Sequence, residues 1–279
     1  MITMKKITFS LLLLFVCPAL LAQQIHQLSD TVSLKGTFTQ GALLIGQAKA
    51  SDSVFLNDKP VAIADDGLFV IGFGRDAELN HQLHVKSVSG EANTFPLTLE
   101  KRKYNIQRVT GISKKITQPN PENVKRARLD AKQVRAARKL WSDDTHFNQQ
   151  FIWPAKGRMS GVYGSQRFYN GKPGRPHYGL DVAAPTGTAV IAPADGVVRL
   201  FVPDMFYSGG TLIIDHGMGV SSTFLHLSAG LVKAGDVVKQ GQLIAKIGST
   251  GRSTGPHLDW RMNWLNQRVD PQLLVPARK

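Results

Sequence analysis

Three short stretches between residues 177 and 259 carry the residue types that hold a metal ion and move protons. They read His177-Tyr-Gly-Leu-Asp181, Leu225-His226-Leu227-Ser228 and Ser253-Thr-Gly-Pro-His257-Leu-Asp259. His177 and Asp181 stand four residues apart, close enough for an imidazole nitrogen and a carboxylate oxygen to bind one ion. His257 and Asp259 stand two apart, so on a strand both side chains leave the same face. Zn²⁺ accepts such a nitrogen and oxygen mixture, and three protein ligands leave a fourth position for water. The chemistry implied is metal-assisted hydrolysis. A bound cation lowers the pKa of water from about 15.7 toward 7 and polarises a carbonyl. An imidazole left uncoordinated titrates near neutrality and can carry the proton.

The same residues carry a resemblance. His177-x-x-x-Asp181, the Phe224-Leu-His226-Leu-Ser228 island and Gly251-Arg-Ser-Thr-Gly-Pro-His257-Leu-Asp259 resemble, in order and distance, the motifs of lysostaphin-type (LytM-type) zinc metallopeptidases. The likeness covers roughly the last half of the chain and implies a role for each position. His177 and Asp181 become metal ligands, and His226 and His257 become catalytic, one as general base and the other as oxyanion donor or leaving-group acid, in either order. The third ligand falls at position 259, where the family pattern has His and this sequence has Asp. A carboxylate still binds Zn²⁺. A His177, Asp181, Asp259 set is neutral with a divalent ion, which lowers its Lewis acidity and makes Mn²⁺ or another divalent ion a second candidate.

The resemblance therefore implies an exported zinc metalloendopeptidase that hydrolyses peptide cross-links of bacterial peptidoglycan, with D-alanyl–diaminopimelate links of a Gram-negative-type envelope as the expected bond. Two other classes of function stand beside it. One is a catalytically degenerate member acting as a wall-amidase activator or peptidoglycan-binding protein. The other is an envelope tether that holds the wall through the N-terminal region.

A site of this kind needs a rigid floor, and the sequence from Trp153 onward supplies strands. Thr188–Ala192, Gly196–Val202, Thr211–Ile214, Ser221–Leu225 and Leu243–Ile247 are short apolar runs flanked by Gly, Pro or Asp. They predict a compact, mostly antiparallel sheet. Tyr163–Asn170, with Lys172 and Arg175, is expected to form a wall whose aromatics and cations meet an extended, carboxylate-bearing peptide. From about Ser33 to Arg108, alternating short apolar runs and turn residues predict a small antiparallel β-sandwich. Asn120-Pro121-Glu122 opens a helix with a cap, a first-turn proline and an N-terminal acid. Val124, Ala127, Ala131, Val134, Ala137 and Trp141 give that helix one modest apolar stripe, suited to packing between domains.

The fold expected is mostly β: a signal peptide over residues 1–22, a β-sandwich accessory domain over 23–110, a basic linker helix over 111–150 and a lysostaphin-type metallopeptidase domain over 151–279. Lys5 and Lys6 before the apolar run Ile7–Val16, then Pro18-Ala-Leu-Leu-Ala22, form the leader. The run is too short to favour a membrane span, so the protein is expected in the periplasm. Cys17, the single cysteine, lies inside this leader, so the mature chain has no disulfide and no thiolate metal site.

The formal net charge of +14 suits acidic envelope polymers and anionic headgroups. Nucleic acid, which such a charge would also suit, is excluded by export. The partners expected are peptidoglycan peptide stems, with an envelope or amidase partner left open. The cationic run from Lys125 to Lys139 reads equally as a solvated helix face or a binding patch. His26, His81, His84 and His146 are read as surface or core residues and His216 as structural. The stretch from Gly248 to Gly255 lacks the Gly-Lys-Ser/Thr ending of a phosphate cradle and is read as a loop leading to His257.

Overall fold

A computed structural model describes residues 24–110 and 120–278. The expected signal peptide over residues 1–22 lies outside the described residues.

The N-terminal region is a sandwich of two four-stranded antiparallel sheets. One runs in the order β1 (Ile25–Gln27), β2 (Ser33–Lys35), β3 (Leu43–Gln47), β6 (Leu68–Gly72). The other runs β5 (Lys59–Val61), β4 (Ser53–Leu56), β7 (Asn80–Lys86), β8 (Ala92–Thr98). The apolar run read as a strand at residues 84–88 is displaced: β7 ends at Lys86, and Val88 is exposed in the turn that follows.

Leu43-Leu-Ile45 and Phe69-Val-Ile71 are unbroken apolar runs because their sheet is covered on both faces. Leu44, Phe69 and Ile71 fill the sandwich with Leu34, Leu83 and Leu97. Leu43, Ile45 and Val70, which point the other way, join the core of the C-terminal region with Met218, Val220 and Trp260.

The chain then crosses over. β9 (Ile106–Val109) pairs in parallel with β11 (Gln166–Tyr169), Ile106 opposite Gln166 and Val109 opposite Tyr169. β11 also pairs with β12 (Lys172–Pro173). The expected boundary at residue 110 thus falls just after a strand belonging to the sheet of the following region.

Helix α1 (Pro121–Lys139) starts as the sequence predicts, with the Asn120 side chain accepting a hydrogen bond from the Glu122 amide at 2.9 Å. Val124, Ala127, Ala131, Val134 and Ala137 are shielded, but Trp141 is exposed and departs from the stripe. Most cations of the helix face solvent.

The C-terminal sheet runs β10 (Arg158–Gly161), β13 (Leu180–Ala183), β20 (His257–Trp264), β17 (Val220–Gly230), β16 (Gly209–Asp215), β15 (Gly196–Met205), β18 (Val237–Val238), antiparallel throughout. β14 (Ala189–Ile191), β19 (Leu243–Ile247) and β21 (Gln267–Val269) pair at its margins. In β20 the alternation is strict: Leu258, Trp260 and Met262 enter the core, and His257, Asp259 and Arg261 take the opposite face.

Candidate metal centre

Register assembles the site. Asp181 on β13 sits directly across from Asp259 on β20, and Asp259 directly across from Leu225 on β17, one residue before His226. Two glycines allow the carboxylates their positions. A Cβ at residue 161 would fall 2.2 Å from Asp181 Oδ2, and one at residue 179 would fall 2.4 Å from Asp259 Oδ1.

One donor atom from each of His177, Asp181 and Asp259 lies within 4.8 Å of the others. His177 Nε2 and Asp181 Oδ1 are 3.2 Å apart, and both are buried without a hydrogen-bond partner. Two orphaned donors facing each other in a buried place are what a bound cation would satisfy. The donor set fits a divalent ion such as Zn²⁺. Burial works to lower the His177 pKa, but the carboxylates of Asp181 and Asp259 outweigh it and hold it above the ordinary imidazole value.

Asp259 has a partner absent from the sequence reading. Arg261, two residues on and on the same face, forks its carboxylate, with Nε 2.9 Å from Oδ1 and 3.1 Å from Oδ2. Burial alone would raise the Asp259 pKa; the guanidinium reverses this and brings it down to about 2. The expected neutral set therefore gains a positive charge. Two carboxylates and one guanidinium carry one net negative charge, so a divalent ion leaves the cluster at plus one, as a His-His-Asp set would. The His257-x-Asp259-x-Arg261 spacing was the available signal for this pairing.

His226 and His257 stand beside the donors. Their rings are 4.7 Å apart, and His257 Nε2 is 3.9 Å from Asp181 Oδ1. His226 Nδ1 meets the Thr250 carbonyl and His257 Nδ1 the Gly255 carbonyl, each at 2.8 Å. Since a carbonyl only accepts, each Nδ1 carries the proton and each Nε2 is left as an acceptor. The loop read merely as a lead-in to His257 thus sets the tautomer of both imidazoles. Burial lowers the His226 pKa, favouring the neutral form. His226 takes a left-handed backbone, φ +63°, where β17 carries one extra residue against β16. Such a bulge re-aims a side chain.

The remaining histidines are elsewhere. His81 and His84 bond to Asn57 and Thr94 on the sandwich, and His26 packs on Phe38. His146 lies near Asp144. His216 is structural as expected: fully buried, with Nδ1 2.7 Å from the Asp195 carbonyl and Nε2 2.8 Å from Ser222 Oγ. Burial pulls its pKa down to about 4, below the unfolded value of about 6.5. The unfolded chain therefore binds the extra proton between those values. The stabilising contribution is present above about pH 6.5 and is lost as pH falls toward 4, by about 3 kcal/mol. Urea melts of wild type and His216→Gln between pH 4 and 7 should show the wild-type slope in that window flattened in the variant.

The wall at residues 163–175 differs from expectation. Tyr163 does not line a groove but is buried, its hydroxyl donating to the Arg268 carbonyl at 2.7 Å. It belongs to a stack in which Arg75 lies 4.4 Å over Tyr104, Arg102 lies between Tyr104 and Tyr163, and Tyr178 packs on Tyr163. The stack links the sandwich to the residue after His177.

Residues 175–271 match Peptidase family M23. The peptidoglycan DD-endopeptidase ShyA of Vibrio cholerae is 29% identical over 237 residues, covering 78% of this chain and 50% of that protein. An uncharacterized metalloprotease of Haemophilus influenzae is 43% identical over 97 residues, 35% of this chain and 20% of its own length. The chain thus spans half or less of the length of these curated relatives. A crystal structure from Pseudomonas aeruginosa described as a peptidase M23 superposes with a TM-score of 0.66 at 28% identity, covering 87% of this chain and 96% of that one. The likeness therefore extends through the sandwich and helix as well as the site-bearing sheet.

Proposed function

We propose that this chain, which belongs to peptidase family M23 through residues 175–271, is an exported zinc metalloendopeptidase that hydrolyses peptide cross-links of peptidoglycan in the periplasm. The observation that carries the reading is the pair of orphaned, buried donors His177 Nε2 and Asp181 Oδ1 beside two imidazoles whose Nε2 atoms are left as acceptors. His177, Asp181 and Asp259 would hold the ion, which supplies Lewis acidity to the scissile carbonyl and acidifies the attacking water.

The residues do the rest. His257, its Nδ1 proton fixed on Gly255, accepts the water's proton at Nε2 and returns it to the leaving amine. His226, kept neutral by burial, orients the attacking water by accepting a hydrogen bond. Arg261 holds the Asp259 carboxylate toward the other two donors. No helix among the described residues is long and apolar enough to cross a membrane. The amidase-activator alternative calls for a lost donor or lost imidazole, and the convergence of all five residues supports the enzyme instead.

The test uses purified mature chain. One equivalent of metal by mass spectrometry, with conversion of cross-linked muropeptide dimers to monomers, is the expected result. Intact dimers after prolonged incubation of metal-loaded protein would remove the hydrolase assignment.

A further inference from the structure

Beyond Asp259, the site-bearing face of the sheet holds more positive charge than its acids neutralise. Arg261 on β20 is forked on Asp259. Thr223, its register partner on β17, receives a hydrogen bond from Arg138 Nη2 at 2.8 Å, across the contact between α1 and the sheet. Arg268 on β21 stands opposite Asn263 and donates to its Oδ1 at 3.2 Å.

Three guanidiniums from α1, β20 and β21 thus gather on one face of the sheet, and among the described residues only Arg261 has an ion-pair partner, Asp259. Among the described residues no acid forms an ion pair with Arg138 or Arg268, and the nearby Asp215 is already held by Arg199 and Ser142. Arg138 Nε is buried without a hydrogen-bond partner. Burial and the charges of Arg268 and Arg261 pull the Arg138 pKa down to about 9, and burial, Arg261 and Arg175 pull that of Arg268 to about 10. Both remain charged at neutral pH. All three side chains keep partial exposure. Like charges gathered in a half-buried place oppose folding unless an anion joins them, and planar guanidiniums suit a carboxylate.

We infer that Arg138, Arg261 and Arg268 form a subsite that binds a free carboxylate of the peptide substrate a few residues along from the scissile bond. Its place follows from β20: Arg261 and Asn263 lie two and four residues beyond Asp259, roughly 7 and 13 Å along the strand. An extended peptide rises at the same rate, so the carboxylate lies about two to four residues from the bond cut. Arg138 brings α1 into substrate recognition although it lies outside the residues matched to the peptidase family. Of the basic run on α1, this one cation is turned to the site, while its neighbours Arg135 and Lys139 face solvent.

The inference rests on the hydrolase reading, and the experiment separates the two. Zinc-loaded full chain is assayed on cross-linked muropeptide dimers and on the same dimers with their carboxylates amidated. Amidation should raise KM by about tenfold or more with little change in kcat. Arg138→Gln and Arg268→Gln should raise KM for the acidic dimer by a similar factor and for the amidated dimer by less than twofold. Each substitution removes a repulsion along with a hydrogen bond, to Thr223 or Asn263, so Tm should change by no more than a few degrees, whereas loss of a merely structural arginine would lower it further. Equal KM for the two dimers in wild type, or equal losses on both in the variants, would overturn the subsite.

If neither dimer is cut, the hydrolase reading fails. Calorimetric binding of acidic and amidated muropeptide monomers to zinc-loaded His257→Ala then decides alone. Acidic monomer bound at least tenfold tighter sustains the subsite, and equal binding ends it.

Discussion

His257→Ala and His226→Ala should each lower cross-link hydrolysis by about 10²- to 10⁴-fold while retaining wild-type metal content. The separation between the two readouts is the point. Neither imidazole is in the donor set, so the ion stays when either is removed. Each presents its Nε2 as the acceptor, because the carbonyls of Thr250 and Gly255 hold the Nδ1 protons, and alanine leaves no acceptor in that place. His177→Ala behaves differently. It removes one of the two orphaned donors and should lose metal and activity together. Metal analysis, steady-state rates on muropeptide dimers and circular dichroism on the same preparations make the comparison. Retention of the cellular role by His226→Ala and His257→Ala, with no dimer cut even by the wild type, would instead favour the amidase-activator or binding role.

A fragment beginning at residue 151, where the sequence places the start of the metallopeptidase domain, should melt about 10 °C or more below the full chain, or fail to remain soluble. Leu43, Ile45 and Val70 belong to its core, and their removal would bare the surface they cover. At about 1.5–3 kcal/mol per fully buried side chain, the loss approaches the whole stability of an ordinary domain. β11 would lose β9 on one edge, and the Gly164 carbonyl would lose the Arg75 guanidinium that donates to it at 2.8 Å. Thermal melts and limited proteolysis of fragment and full chain decide the matter. Melting within a few degrees of the full chain would show the 151–279 boundary to be a true one.

The sequence made the site legible because its chemistry sits in short, ordered motifs. Strand periodicity puts His257 and Asp259 on one face, the order of the motifs points to His177 and Asp181 as their companions, and the helix cap at Asn120 is local; the register that sets Asp181 opposite Asp259 is a long-range pairing. The β-sandwich was legible from turn spacing, although β7 ends two residues before its apolar run does. What the sequence did not convey was long-range. Arg138 and Thr223 are 85 residues apart, and nothing in a basic helical run marks the one cation turned inward. The parallel pairing of β9 with β11 joins strands separated by a helix, so a boundary drawn from composition cut through a sheet. Tyr163 was placed in the wall by proximity to His177, but its ring was needed between the two regions, where a phenol can stack on Arg102 and still donate to a carbonyl. Arg261 shares the strand face of Asp259, two residues on, so the strand pattern contains the cation that balances the carboxylates.

The backbone at His226 has a further consequence. At φ +63° a residue that carries a Cβ costs roughly 1–3 kcal/mol, and glycine would sit there with less strain. The imidazole is therefore held in place against the preference of its own backbone. If His226 serves hydrolysis as proposed, selection on heat resistance alone would discard it early, and selection on turnover would keep it. In a library screened first for survival and then for hydrolysis, position 226 is where the two screens should disagree most sharply.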